Sequence, residues 1–334
     1  MDDWLTAALR APGVLVTVAI VEGSVPREPG AKMLVTQIGI AGTIGGGHLE
    51  HRAIAIARGM LDEGGAARLE RFALGPSLGQ CCGGIAHLAF EVVDRDQMVL
   101  LDARRDVDTI RVIALDGGWA LFDAAGTQIA GDAVPPFDRT AGTQVMRDDS
   151  GRRWLVDPIL APRAHLMLFG AGHVGAAIVR ALAELPCRVT WVDERDDMFP
   201  QNVPANVTVE ATDTPEASVE AAPPGTTFLV MTHSHTLDLR LSIAILSRPG
   251  STQASDWFGL IGSDTKRRQF EHRLRERGID HERIDAMACP IGLPGIAGKA
   301  PAVIAASVAA QLLTVWEGAT MRSPSPLPVS SESN

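Results

Sequence analysis

The chain has 334 residues, 46% of them hydrophobic and 21% charged, an ordinary globular composition with room for about two domains. Its formal net charge of −10 gives no electrostatic footprint for nucleic acid or an anionic membrane surface, so neither is expected as a partner. No apolar stretch approaches the roughly 18 residues of a membrane span, and Asp2 and Asp3 stand where an export signal would carry Lys or Arg, so the expected location is the cytoplasm.

In the first third, residues 14–21 form a short apolar, β-branched run that stops at Gly23-Ser24 and reads as a strand. Residues 32–37 and 38–44 read as two more. Residues 49–63 have helical spacing, with Ile54, Ile56, Met60 and Leu61 apolar and Gly64-Gly65 as the stop. Strands are expected again at 68–74 and 85–93. From 98 to 159 the pattern is of short strands broken by turn signals at Asp116-Gly117-Gly118, Ala125-Gly126 and Asp149-Ser150-Gly151. Pro158 and Pro162 bracket a linker.

Beyond the linker, strands and helices alternate. Strands are expected at 166–169, 189–192, 207–211, 227–231 and 258–261, and helices at 173–185, 237–246, 264–277 and 300–316. That alternation is the signature of a doubly wound parallel sheet. The fold class is therefore α/β, with a C-terminal Rossmann-like doubly wound parallel sheet plus an N-terminal mixed α+β domain. The domains run over 1–160 and 164–320, and a Ser/Pro-rich tail, 321–334, is expected to be disordered.

The clearest motif is Gly170-Ala171-Gly172-His173-Val174-Gly175, which follows a strand and opens a helix. Gly170 suits a tight turn, Gly172 a close approach of backbone to a pyrophosphate, and Gly175 close helix–strand packing. The helix start adds unpaired N–H groups and partial positive charge. Asp193, 18 residues after Gly175, stands where a carboxylate accepts ribose hydroxyls. The alternative is a Rossmann-like domain whose phosphate site is unused.

Two loops in the first third are candidates for ligand contact. Residues 23–33 (GSVPREPGAKM) form a loop stiffened by two prolines, with Arg27 and Lys32 as donors to an anionic ligand. Gly45, Gly46 and Gly47 precede a helix whose first turn carries His48 and Glu50, an arrangement that lets a ligand approach the backbone. Turn chemistry alone is the alternative for both. A third motif, Gln80-Cys81-Cys82-Gly83-Gly84, joins two thiols to two glycines. A thiolate is a soft ligand and a sulfur nucleophile, whereas adjacent cysteines seldom pair with each other. Small buried packing residues fit this motif equally well. None of the four cysteines has zinc-ribbon spacing, and reduced thiols are expected.

His233-Ser234-His235, with Asp238 three residues on, follows a buried strand at its carboxyl end, where open α/β sheets bind ligands. The spacing suits ligand-facing polar residues first, a helix cap second and a metal site third. Lys266, Arg267 and Arg268 read as a solvated helix face. His87, His165 and His272 read as structural or solvent-facing.

Taken in order, GSVPREPGAKM, GTIGGGHLE, QCCGG, FGAGHVG, VDERDDMFP, VMTHSHTLD, GLIGSDTKR and CPIGLPGIAGKAP resemble the XdhC/CoxI family of xanthine dehydrogenase accessory proteins. The resemblance spans residues 14–316. It departs at Lys299-Ala300-Pro301, where family members read nearer to Thr-Pro. It implies a factor that binds the molybdenum cofactor (molybdopterin) as cargo and supports exchange of an oxo ligand for sulfur from a cysteine desulfurase. The cofactor then passes to the large subunit of a molybdenum hydroxylase of the xanthine dehydrogenase type. It also implies a homodimer, and a cofactor-binding chaperone rather than a metabolic enzyme. On this reading Cys81 or Cys82 meets molybdenum or relays sulfur. The loops with Arg27, Lys32, Gly46, Gly47, His48 and Glu50 hold the pterin. The set Gly170, Gly172, His173, Gly175, Asp193 and His233 holds phosphate or a nucleotide.

The strongest rival is an NAD(P)-dependent oxidoreductase sharing the same Rossmann unit. Against it, His173 fills a position that dehydrogenases give to a small or apolar residue, and a chain with no tyrosine excludes a Tyr-x-x-x-Lys mechanism. Further rivals are a metal-dependent hydrolase on His233, His235 and Asp238, and a scaffold that only docks the target enzyme.

Overall fold

The computed structural model describes residues 3–75, 83–248 and 256–322. The chain divides into two units, one over 2–161 and one over 162–334.

In the first unit, helix α1 (Asp3–Arg10) precedes strands β1 (Val14–Glu22), β2 (Lys32–Val35) and β3 (Ile40–Gly42). Helix α2 (Gly47–Glu63), β4 (Arg68–Ala73), β5 (Ile85–Val92) and helix α3 (Arg95–Asp102) follow. The unit ends with β6 (Thr109–Ala114), β7 (Trp119–Asp123), β8 (Gln128–Gly131), β9 (Gln144–Arg147) and β10 (Arg153–Ile159). Two antiparallel five-stranded sheets result, ordered β3-β2-β1-β5-β4 and β8-β7-β6-β10-β9. β1 reads as a continuous apolar run because it is covered on both faces. Val14, Val16 and Val18 pack with Leu49, Ala53 and Met60 of α2, while Leu15 packs with Trp4, Met98 and Leu121.

Several expected elements change. The strands expected over 32–37 and 38–44 shorten, because Thr36 accepts from and donates to Gly39 in a tight turn. The expected strand region from 98 begins instead as α3, whose N-cap Asp94 accepts from Gln97 N at 2.9 Å. Pro158 lies inside β10 rather than in a linker. It falls beyond the β9 pairing, which ends at Val156, so its missing N–H breaks no bond of that ladder.

A charged cluster lies buried between these two sheets. Arg111, 0% exposed, donates to Asp157, Gln97 and Glu91, and Lys32 donates to Asp157 at 2.8 Å. The Trp4 ring lies 5.9 Å from both cations. Burial pushes the Glu91 carboxyl above its ordinary range, against the pull of Arg111.

The second unit runs β11 (Ala164–Phe169), α4 (His173–Ala181), β12 (Cys187–Asp193), β13 (Val207–Ala211), α5 (Pro215–Ala221) and β14 (Thr227–Val230). It continues with α6 (His235–Leu246), β15 (Phe258–Leu260), α7 (Asp264–Glu276), α8 (His281–Ala286) and α9 (Pro301–Arg322). All its strands are parallel, in the order β13-β12-β11-β14-β15. The expected Rossmann-like sheet is present, and strand order reverses between β11 and β14. The helix expected over 173–185 stops at Ala181. By length and composition alone, residues 301–318 of α9 match a membrane span, which corrects the expectation that no apolar stretch approaches that length. Within the unit, Ala305, Val308 and Leu312 of that helix are buried against Leu166, Leu168 and Ile178.

Candidate functional site

The glycine turn between β11 and α4 has a distinct demand at each position. Gly170 has φ +119°, and a Cβ there would lie 2.4 Å from the Met231 carbonyl oxygen. A Cβ at Gly175 would lie 2.1 Å from the Gly170 carbonyl oxygen, so helix and turn touch backbone to backbone. Gly172, the N-cap of α4, has open space around it and no capping side chain. The start of α4 therefore presents backbone N–H groups outward, as an anion site requires. His173 is exposed at the first helical position. Trp191 Nε1 donates to Gly170 O at 3.0 Å and holds the turn in place.

Asp193 ends β12 beside this turn, and its acceptors are filled. Oδ2 accepts from Ala171 N (2.6 Å) and Arg195 Nη2 (3.0 Å), while Oδ1 accepts from Arg195 N (3.1 Å) and Arg195 Nε (2.9 Å). An ionised carboxylate has about four lone-pair positions. Burial pushes this carboxyl up, but the bonds from Arg195 and Ala171 prevail and hold it below its usual range. The expected ribose-acceptor role thus gives way to another: Asp193 clasps the glycine turn to Arg195. Arg195, for which the sequence gives no expectation, keeps 36% of its side chain exposed. The Asp-x-Arg spacing was the available signal.

Phe169, Val192, Asp193, Glu194, Thr232 and His233 line an open hollow at the carboxyl ends of β11, β12 and β14. This is the edge where open α/β sheets take ligands. Gly170, Gly172, His173, Gly175, Asp193 and His233 are thus gathered at one edge. Asp238 is not available to a metal. It is 0% exposed and bonded to Thr232 and Lys266, and Ser234 caps α6 by accepting from Leu237 N. Among the described residues no group of three or more His, Cys, Asp or Glu side chains is placed to hold a metal ion.

In the first unit, the proline loop and the glycine triplet meet at one end of their sheet. Arg27 Nη1 donates to Thr43 O at 3.4 Å, and a Cβ on Gly45 would lie 2.4 Å from Pro26 Cβ. Gly84 packs on the same loop, with its N donating to Ser24 O at 3.0 Å. Arg27 pairs with Glu28, whose carboxyl is lowered by that bond, and His48 is exposed at the start of α2.

Two expected ligand residues are engaged within the unit. Lys32 is 8% exposed overall, and its Nζ is spent on Asp157 and Gly30 O. Glu50 Oε2 accepts from Gly46 N (3.0 Å), Ile44 N (3.3 Å) and Thr43 Oγ1 (2.7 Å), so a carboxylate of the chain takes up the Gly46 end of the glycine cradle. Cys81 and Cys82 lie outside the described residues. Cys187 and Cys289 are free and buried, and burial pushes both thiols up to about 11.

Residues 166–312 match a family model described as the XdhC Rossmann domain, and residues 7–73 match that of the XdhC and CoxI family. The chain is 29% identical over 182 residues to the uncharacterized protein YqeB of Escherichia coli strain K12. That alignment covers 54% of this chain and 32% of YqeB, so the chain spans about a third of that relative's length. A crystal structure described as a xanthine dehydrogenase from Bacillus halodurans is similar in fold, with a TM-score of 0.73 at 22% identity over 98% of each chain.

Proposed function

The chain belongs to the XdhC and CoxI family, and from that premise we propose that it is an accessory factor that binds the molybdenum cofactor and delivers it to a xanthine-dehydrogenase-like enzyme. The observation that carries this reading is the uncapped start of α4 at the ligand edge of the parallel sheet. It offers backbone donors suited to the phosphate of a pterin cofactor, or to the nucleotide of its dinucleotide form. The hollow beside it is lined mainly by apolar side chains with Asp193 and His233 among them, and Arg195, bonded to Asp193, remains partly exposed.

The finer assignments are part of the proposal. Within the first unit, taken by itself, Arg27 and His48 are assigned to cofactor binding, and Cys81 or Cys82 meets molybdenum or carries sulfur from a cysteine desulfurase. The protein works in the cytoplasm as a homodimer. The oxidoreductase reading loses its ribose acceptor, because Asp193 is bonded to Arg195 and Ala171.

The test is co-purification with the cofactor, then reconstitution of a cofactor-free xanthine dehydrogenase with and without the protein. Titration of the cofactor against wild type, Cys82→Ala and Gly172→Asp separates the roles. Weaker binding in both variants is expected. Wild-type affinity in both would overturn the assignments.

A further inference from the structure

Lys266, expected on a solvated helix face, has a side chain only 10% exposed, and that of its partner Asp238 is 0% exposed. Lys266 Nζ donates to Asp238 Oδ2 at 2.6 Å and to Ile261 O at 2.8 Å. The other oxygen of Asp238 accepts from Thr232 Oγ1 at 2.7 Å and Thr232 N at 3.0 Å. Two turns are thereby joined: the turn after β14, which carries His233, and the turn after β15, which ends in the Ser263 cap of α7.

The placement of the lysine is electrostatically unfavourable. Lys266 sits in the first turn of α7 and its ammonium lies against Asp238 in the first turns of α6. Helix starts carry partial positive charge, so a cation there is disfavoured. Burying an ion pair also costs several kcal/mol of desolvation, which an apolar pair of similar volume would avoid. The local sequence is shaped to accept it. A Cβ at Gly262 would lie 2.8 Å from Lys266 Cδ and 3.2 Å from Cys289 Sγ, so this turn closes over the lysine stem only with glycine.

We infer that Lys266 and Asp238 are a positioning pair that fixes the wall of the crevice opposite the glycine turn and sets where His233 stands over the hollow. The pair touches no ligand itself. It acts through Thr232, which is bonded to Asp238 and adjoins His233, a residue lining the hollow. The inference rests on the reading that this sheet edge holds part of the cofactor.

The test uses the full chain and compares wild type with K266M, D238N and the neutral double variant K266M/D238N. Each single variant leaves a buried group unpaired and lowers the melting temperature. In the double variant no charge is stranded, and the introduced amide retains an oxygen for Thr232, so the melting temperature recovers. The tie to Ile261 is still cut. Cofactor binding is therefore expected to stay about tenfold weaker in the double variant, although stability has returned. The His233 ring resonance moves, while those of His272 and His281 on exposed positions of α7 and α8 do not. A double variant that binds as wild type with an unmoved His233 resonance would overturn the inference, leaving the pair a structural ion pair only. If wild type binds no cofactor, the parent reading fails, and the His233 resonance alone decides this one.

Discussion

At the scale of single residues, the glycine turn separates stability from binding. A methyl at Gly175 meets the Gly170 carbonyl at 2.1 Å, whereas a methyl at Gly172 meets nothing and its φ of −72° suits any residue. Gly175→Ala is expected to lower stability by about 1–3 kcal/mol through overpacking. Gly172→Ala should leave the urea midpoint unchanged and weaken binding of the cofactor phosphate. Equal stability loss in the two variants would mean that a side chain at position 172 is crowded, and would overturn the separation of packing from binding. The thiols give a second prediction at this scale. Cys187 and Cys289 are pushed by burial from 9.0 to about 11. Both remain protonated near neutral pH, so neither should react with a disulfide reagent until the protein unfolds. The sign for stability follows from linkage. The folded-state values are raised, so the contribution is complete below pH 9 and is lost as pH rises toward 11, where the unfolded thiols ionise first. Urea midpoints measured across that interval should fall less steeply in Cys187→Ala/Cys289→Ala than in wild type.

At the scale of elements, the two sheets of the first unit are joined by charge as well as by apolar packing. Arg111 of β6 reaches Glu91 of β5 and Asp157 of β10, and Asp157 also holds Lys32 of β2. Removing Arg111 strands Glu91 and leaves the buried Asp157 with Lys32 alone. Arg111→Met is accordingly expected to cost about 3–5 kcal/mol in urea unfolding, far more than loss of an exposed pair such as Arg68–Glu70. A change below about 1 kcal/mol would mean that the carboxylates find other partners. This cluster also explains what could be read from sequence. The glycine turn and the parallel strands were legible because their signals are local: a fixed glycine spacing, and apolar runs ended by turns. The sequence suggests a ligand donor at Lys32 and a solvated helix face at Lys266, because burial of a charge is decided by partners 125 and 28 positions away, Asp157 and Asp238. The apolar run Met98, Val99, Leu100 and Leu101 suggests a strand where α3 forms. The deciding signal was the Asp94 cap, which outweighs a four-residue apolar pattern. α1 went unread, although Trp4, Leu5 and Ala8 follow helical spacing and are buried together.

At the scale of the whole molecule, an acidic chain with net charge −10 is expected to hold an anionic cargo. Long-range attraction cannot supply that affinity, since the summed field repels an anion. The donors must act at contact: the backbone N–H groups at the start of α4 and the Arg195 guanidinium held bidentate on Asp193. Contact donors and surface fields respond differently to salt. Screening acts on charges separated by more than about 8–10 Å near physiological ionic strength, and it spares short hydrogen bonds to a fixed guanidinium or helix start. Raising salt therefore weakens the remote repulsion while sparing the local bonds, so affinity rises only slightly. Cofactor affinity measured by titration should change by less than about threefold between roughly 50 and 300 mM salt. A loss of tenfold or more over that range, of the kind produced when surface lysines and arginines release counterions, would mean that the cargo is held by the protein's surface charge instead. The glycine turn would then be a packing device, and Gly172→Asp, which adds charge at that turn, would weaken binding only through its remote field, and less at high salt than at low.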